Sequence, residues 1–386
     1  MKIVYIYKSI ASLSGMERIL TDKMNYLVDQ LGYDIYLVTY EQGKHPLSFS
    51  LSSHIQHRDL GVIFYSRSNY SLPKRIWLYL MMRRIFKRKL YETIQNIDPD
   101  IIVAISYDYP QLDIIANIPG KSKRILETHI AKEALLKSAD FNSFLLKKIA
   151  WIYDYYMMCQ VNKFDVLVTL TEQDKKKWEN TLSTIVIPNV LTLYPQKRAS
   201  LENKEIISAG RFDSQKGYDL LILAWRIVLD KHPDWQMHIY GDGSYKTMLQ
   251  NSIKELQIES SFFLHGVTPN IYGQYLRRSI YVMSSRYEGF GLVLIEAMSC
   301  GLPCISFDCP SGPSEIIRNG ENGILVENGN VNKLSEAICY LIEEEEVRKQ
   351  MGLEARKSVL RYSKENIMKQ WDALFKGMFI NTSLNN

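Results

Sequence analysis

Ser285-Arg-Tyr-Glu-Gly-Phe-Gly-Leu-Val-Leu-Ile-Glu-Ala-Met298 follows directly on Ile280–Ser284, an apolar run that reads as a strand. Gly289 and Gly291 then open a helix that runs to about Cys300, and Gly301 and Pro303 mark its end. The free N–H groups and the positive dipole end of that helix fall at Phe290 to Val293, which makes the turn a site for an anion such as a diphosphate. The glycines carry no Cβ to hold a phosphate away from the backbone. Glu288 and Glu296 bracket the turn with seven residues between them. Glu288 lies on the loop, beside any group held at the helix tip. Glu296 lies inside the helix among Leu292, Val293, Ile295 and Ala297. A carboxylate in such company needs donors, because leaving it unpaired costs several kcal/mol, and sugar or ribose hydroxyls are suitable ones. The alternative is an exposed helix residue.

Outward from this turn, strands and helices alternate. Lys2 to Tyr7 reads as a buried strand, Lys8 to Gly15 as a polar loop, Glu17 to Gly32 as a helix and Asp34 to Tyr40 as a second strand, a βαβ unit that implies a parallel sheet. Further strands are expected at Asp100–Ser106, Lys123–Thr128, Val166–Thr171 and Ile185–Ile187. Pro188 to Asn203 has neither period and reads as a linker. The alternation resumes with strand Lys204–Ala209, helix Tyr218–Lys231, strand Trp235–Tyr240, and strands at Ser261–Gly266, Ile280–Ser284, Pro303–Asp308 and Gly323–Val326. The expected architecture is α/β: two Rossmann-like doubly wound domains, 1–190 and 204–362, facing across a cleft with ligands at the carboxyl ends of the strands. A last helix, 363–380, has no assigned partner, and packing back on the first domain is one option.

The bulk numbers fit that division. The chain has 386 residues, 46% apolar and 23% charged, which suits two ordinary globular domains rather than a disordered or fibrous protein. Five cysteines in no framework pattern point to a reducing compartment. The opening Met1 to Ile10 reads as a core strand with no small-residue cleavage site after it, and no apolar window is long enough to span a bilayer. The expected location is therefore cytoplasmic.

Taken together, several segments resemble one family. The turn looks like the Glu-x7-Glu motif of retaining glycosyltransferases of family 4, which have the GT-B fold. The likeness extends through Ser208-Ala-Gly-Arg-Phe-Asp-Ser-Gln-Lys-Gly217, Ile239-Tyr-Gly-Asp-Gly243, His265-Gly-Val267, Gly301-Leu-Pro303, Glu315-Ile-Ile and Asn322-Gly-Ile-Leu-Val326. The resemblance implies that Arg211 and Lys216 hold the donor diphosphate. Two fixed cations there would stabilise the leaving group without a metal, whereas on their own they read as surface cations after a strand. It places Glu288 at the donor sugar, Glu296 at the ribose hydroxyls, Gly289, Phe290, Gly291 and Leu292 at sugar and phosphate, and the backbone of Val267 at the base. In the first domain, Ser12 to Arg18 resembles the glycine-rich loop facing the diphosphate, with Ser14-Gly15 where the family often has Gly-Gly. His129, in Glu127-Thr-His129, resembles the histidine facing the donor sugar; a polar residue at a loop start is the other reading.

The implied activity is retaining, metal-independent transfer of a hexose or N-acetylhexosamine from a nucleotide diphosphate sugar to a saccharide or lipid-linked acceptor, in surface polysaccharide or glycolipid synthesis. UDP is the first choice of carrier, GDP the second, and no cofactor is implied. Other GT-B enzymes, an epimerase or a phosphorylase, and a non-catalytic nucleotide-sugar-binding partner are the alternatives. Asp98-Pro-Asp100 reads as a strand-entry turn rather than a metal site, and Cys300, Cys304 and Cys309 read as core residues without zinc spacing.

One feature of the first half stands apart from the motifs. Lys74, Arg75, Arg83, Arg84, Lys87, Arg88 and Lys89 share a helical segment with Trp77, Tyr79, Met81, Met82 and Phe86, and Phe141 to Phe164 mixes Lys147 and Lys148 with Trp151, Tyr153, Tyr155 and Tyr156. A basic amphipathic helix of this kind suits peripheral attachment to the anionic inner leaflet of the cytoplasmic membrane. A solvated face or an anionic acceptor site are the alternatives. No nucleic-acid recognition module is visible.

Overall fold

The computed structural model describes residues 1–12, 14–106, 111–132, 144–178 and 183–380. They fall into two compact units, Met1–Pro188 with Glu365–Asn386, and Asn189–Lys364.

In the first unit the described elements are β1 (Lys2–Tyr7), α1 (Gly15–Asp29), β2 (Asp34–Thr39), β3 (Gln56–Asp59), α2 (Leu72–Ile97), β4 (Ile101–Ser106), α3 (Leu112–Ala116), β5 (Lys123–Thr128), α4 (Phe144–Val161), β6 (Val166–Thr169), α5 (Glu172–Lys176) and β7 (Thr184–Val186). All seven strands are parallel, in the order β3-β2-β1-β4-β5-β6-β7. Parallel strands are covered on both faces, which is why Ile3 to Tyr7 and Val166 to Thr169 are buried at every position. The core gathers Val4, Ile6, Phe86, Leu90, Ile102, Leu126, Leu167 and Trp178. β3 was not expected from the sequence. Its Gln-His-Arg-Asp is polar throughout because it is an edge strand.

In the second unit the elements are β8 (Glu205–Ala209), α6 (Tyr218–Leu229), β9 (Gln236–Tyr240), α7 (Lys246–Glu255), β10 (Phe262–His265), α8 (Ile271–Tyr275), β11 (Ile280–Met283), α9 (Leu292–Ser299), β12 (Cys304–Phe307), α10 (Pro313–Ile316), β13 (Gly323–Val326), α11 (Val331–Glu343) and α12 (Glu345–Ser358). Its six strands are parallel, in the order β10-β9-β8-β11-β12-β13. The order reverses between β8 and β11, so the loops leaving these two neighbouring strands open in opposite directions and leave a crevice at their carboxyl ends. Those loops are the segments that carry Arg211, Lys216 and Glu288.

One expectation about the connections is corrected. Residues 189–203 are not a free linker: they belong to the second unit, where the Leu191 N–H donates to the Tyr362 carbonyl at 2.8 Å, Ala199 N–H to Cys300 at 2.8 Å, and the buried Arg348 guanidinium to the Leu201 carbonyl at 3.3 Å. The final helix, α13 (Lys364–Ile380), groups with the first unit; Tyr33 Oη donates to Asp372 at 2.6 Å and the Tyr33 ring meets Phe375 edge-on at 5.7 Å.

Candidate functional site

In the second unit the chain leaves β11 through buried Ser284 and Ser285 and reaches Glu288, which is also buried. Gly291 then takes φ +94°, a left-handed conformation, and α9 starts at Leu292. The first N–H groups of this helix have no carbonyl partner inside it, and they lie next to Glu288 in the chain. Glu288 is held from two sides: Lys216 Nζ is 2.7 Å from its Oε1 and Ser285 Oγ donates to the same oxygen at 2.6 Å. The lysine and glutamate side chains are 15% and 8% exposed, so this is a nearly buried ion pair.

Lys216 reaches that place because of Gly217. The 3-10 turn Ser214–Lys216 is capped by Asp213 and ends on Gly217 at φ +61°; a Cβ there would lie 2.1 Å from the Ser284 carbonyl oxygen. The turn packs directly on the end of β11, where Ser284 Oγ donates to the Lys216 carbonyl at 2.9 Å. Gly312 permits a similar approach on the other side, since a Cβ would lie 2.5 Å from the Phe290 carbonyl oxygen. Arg211 is more open, its side chain 66% exposed, with Nε 3.3 Å from Asp213 and Nη2 donating to Gln215 at 3.2 Å. Gln215 in turn donates to the Tyr287 carbonyl and its own carbonyl accepts from Arg286 N–H. The structure therefore ties Arg211, Lys216, Glu288 and residues 289–292 into one loop cluster. Ser285, Gln215, Gly217 and Gly312 belong to it and were not singled out; the first three lie inside segments already quoted.

Glu296 is buried in α9, 7% exposed, beside the phenol of Tyr275, whose pKa burial raises and the Glu296 charge raises further. Val267 is 67% exposed in the loop after β10. Near it, the His265 ring stacks on Tyr240 at 4.5 Å and shares a 2.9 Å hydrogen bond with His238. Burial, with the nearby Arg278 and His265, lowers His238 to about 4, so this imidazole is neutral at neutral pH. Cys309 lies near Glu288 and Lys216, and burial pushes its thiol far from the thiolate form.

In the first unit, Ser14 precedes α1 in an extended conformation and Gly15 opens the helix. Ser14 Oγ and Ser12 Oγ both donate to the buried Glu17 carboxylate, the latter at 2.7 Å, and Tyr7 Oη donates to it at 3.2 Å. Leu13 of this loop lies outside the described residues. His129 follows β5 with its side chain 6% exposed and Nε2 3.0 Å from Glu127 Oε1. Burial would raise the Glu127 carboxyl, but the adjoining Lys23 ammonium and His129 outweigh it and bring the pKa to about 2.

The basic helix is α2. Lys74, Arg75, Arg84, Lys87 and Arg88 are exposed on it, with Leu72, Ile76, Trp77 and Leu80. Arg83 and Lys89 are corrected, because they turn inward: Arg83 Nη2 pairs with Asp113 at 2.5 Å, and Lys89 Nζ donates to the Leu60 carbonyl at 2.6 Å. α4 shows Trp151, Ile152, Tyr153, Tyr155 and Tyr156, each at least 45% exposed. Residues 141–143 and the Lys147 side chain lie outside the described part. Among the described residues no helix is long and apolar enough to cross a membrane. Asp98 ends α2 in a left-handed conformation and Asp100 accepts from the Lys2 N–H, so both serve the turn into β4. Among the described residues, one group able to ligate a metal gathers, His232, Cys339 and Glu343, and it contains none of the loop-cluster residues.

The family described as glycosyl transferases group 1 matches residues 192–358, the segment that holds the whole loop cluster. An uncharacterised glycosyltransferase of Haemophilus influenzae is 30% identical over 97% of this chain and 99% of its own length. The chain belongs to the glycosyltransferases, with the GT-B fold. A poly(ribitol-phosphate) alpha-N-acetylglucosaminyltransferase of Staphylococcus aureus is 30% identical over 57% of this chain and 45% of its own. Among solved structures, S. aureus TarM in complex with fondaparinux, alpha-GlcNAc-glycerol and UDP superposes with a TM-score of 0.76 at 17% identity, over 97% of this chain and 99% of that one.

Proposed function

We propose that this glycosyltransferase takes a hexose or N-acetylhexosamine from a UDP-sugar, with retention of configuration and without a metal, and passes it to a lipid-linked or polymeric saccharide. The observation that carries this reading is the Lys216–Glu288 pair at the glycine-opened start of α9. A diphosphate leaving group gains negative charge as its bond to the anomeric carbon breaks. A buried ammonium, an exposed guanidinium at Arg211 and the first N–H groups of the helix stabilise that charge. Glu288 meets the donor sugar, Glu296 the ribose and the Val267 backbone the base. Ser14 and Gly15 serve the phosphates, and His129 serves a sugar hydroxyl. In the transfer, the acceptor oxygen bonds to the anomeric carbon on the face the diphosphate leaves, and the acceptor proton passes to the departing phosphate oxygen. The UDP bound to TarM and the N-acetylglucosaminyl transfer named for the S. aureus relative support the donor class.

A thermal-shift series with UDP and GDP tests the donor. UDP at a hundred times its Kd should stabilise the protein by about 2.7 kcal/mol, and GDP by less. Glu296→Ala should abolish that shift and lower turnover at least tenfold, about 1.4 kcal/mol in barrier terms. A mutant with the wild-type response would remove Glu296 from the ribose.

The acceptor side rests on α2 and α4. We infer that their exposed Trp77, Ile76, Leu80, Trp151 and Tyr155, beside Arg84, Lys87 and Arg88, dock on an anionic lipid surface at the inner face of the cytoplasmic membrane. Each cation near such a surface is worth about 1 kcal/mol. The protein should sediment with vesicles containing phosphatidylglycerol, lose that association at 0.5 M salt, roughly, where screening is strong, and lose it on Trp77→Ser with Lys87→Glu. Equal sedimentation with neutral vesicles would overturn the docking.

A further inference from the structure

Both oxygens of the Glu127 carboxylate are taken, Oε2 by the Lys23 ammonium and Oε1 by Nε2 of His129 at 3.0 Å. All three side chains are at least nine-tenths buried. Lys23 comes from α1, and its ammonium lies 4.1 Å from the ring centre of Trp371 on α13 and 5.1 Å from that of Tyr5 on β1. Trp371 is itself 2% exposed. A buried ion pair is a weak device for stability, because desolvating each ion costs several kcal/mol and apolar side chains of the same volume hold a core as well. What a pair with a third, imidazole member does provide is direction. A carboxylate that accepts from Nε2 fixes the proton on that nitrogen and the plane of the ring, and it leaves Nδ1 as the acceptor in the neutral imidazole.

We propose that Glu127 and Lys23 are positioning residues for His129: Lys23, clamped between Trp371 and Tyr5, locks the Glu127 carboxylate, which sets the tautomer and orientation of His129 towards a donor-sugar hydroxyl. The inference rests on the reading of His129 as the residue that meets that hydroxyl. It gives the return of the C-terminal helix to the first unit a chemical consequence, because α13 supplies the aromatic face against which the lysine is held. It also makes Glu127→Gln a sharp probe. Lys23 donates and so keeps the amide oxygen on its side, which turns the amide NH2 to His129. That NH2 donates to Nε2 and drives the imidazole proton to Nδ1.

The test has two arms. In the first, proton–nitrogen correlation spectra of histidine-labelled protein, without any ligand, should show the His129 proton on Nε2 in the wild type and on Nδ1 in Glu127→Gln. A wild-type ring protonated on Nδ1, or a tautomer unchanged by the substitution, overturns the proposal. In the second, UDP release from UDP-N-acetylglucosamine is measured around a cycle of Glu127→Gln and His129→Ala. Glu127→Gln should lower kcat at least tenfold with KM within twofold, and cost nothing further once His129 is alanine. Equal losses in both backgrounds overturn the positioning role. Wild-type turnover in His129→Ala instead overturns the role given to His129, while the tautomer arm still reports on Glu127. Should Glu127→Gln fail to fold, Lys23→Arg should stay within threefold of wild type and Lys23→Met should lose at least tenfold in kcat; a fully active Lys23→Met overturns the lock.

Discussion

Lys216→Ala should lower donor turnover about a hundredfold, roughly 2.7 kcal/mol of barrier. The ammonium is the more buried of the two cations of the loop cluster: its side chain is 15% exposed against 66% for Arg211, and it sits on Glu288 at 2.7 Å. A charge held in place before the reaction stabilises a developing diphosphate without reorganising, whereas an exposed guanidinium has to be ordered first. The same substitution leaves the buried Glu288 with only Ser285, which destabilises the fold by about 1–3 kcal/mol. The double variant Lys216→Ala with Glu288→Gln isolates the stability effect: the neutral amide needs no counter-ion, so the melting temperature should recover, while turnover is read on Lys216→Ala alone because Glu288 is itself assigned to the donor sugar. UDP release from UDP-N-acetylglucosamine reads the first effect and calorimetry the second. Turnover of Lys216→Ala within threefold of wild type would take the lysine out of the reaction.

Gly217→Ala should cost about 3 kcal/mol in stability and abolish UDP binding by the second unit. The left-handed backbone at φ +61° costs an alanine roughly 1–2 kcal/mol by itself. The added Cβ would lie 2.1 Å from the Ser284 carbonyl oxygen, so either the 3-10 turn or the end of β11 must move. Both carry the site: the turn holds Lys216 and the strand end leads to Glu288. At roughly 2–4 °C per kcal/mol for a unit of this size, the melting temperature should fall by about 6–12 °C. Gly320→Ala is the control. It has the same left-handed backbone, φ +81°, but no atom within 4 Å of the added Cβ, so it should lose only the conformational part. Equal losses in the two variants would show that the close approach to Ser284 does not matter.

These two residues show how far the chain can be read without coordinates. Lys216 and Gly217 sit in one segment with Arg211, and the order of strand, turn and helix around them was visible in the pattern of apolar runs. The strand Lys2–Tyr7 lies where the pattern put it, because a strand covered on both faces is apolar along its buried run, here Ile3 to Tyr7. β3 escaped that logic, since the edge of a sheet needs no buried side chain. Residues 189–203 escaped it for a related reason: their own backbone groups donate to the Tyr362 and Cys300 carbonyls and accept from the Arg348 guanidinium, and such bonds leave no trace in side-chain periodicity. Arg83 and Lys89 read as surface cations with their neighbours, yet Asp113 and the Leu60 carbonyl hold them inward.

The amino-acid sequence by itself determined the α/β character, the two sheets and the glycine-opened turn, because hydrophobic period, glycine and capping residues act over a few positions of chain. Tertiary structure decided which charges meet. Glu127 finds Lys23, Lys23 finds Trp371, and Glu288 finds Lys216, across separations in sequence that no local pattern encodes. The physical reason is that a buried carboxylate must be matched by whichever donor the packing brings within about 3 Å, and that choice is made by strand order and helix placement.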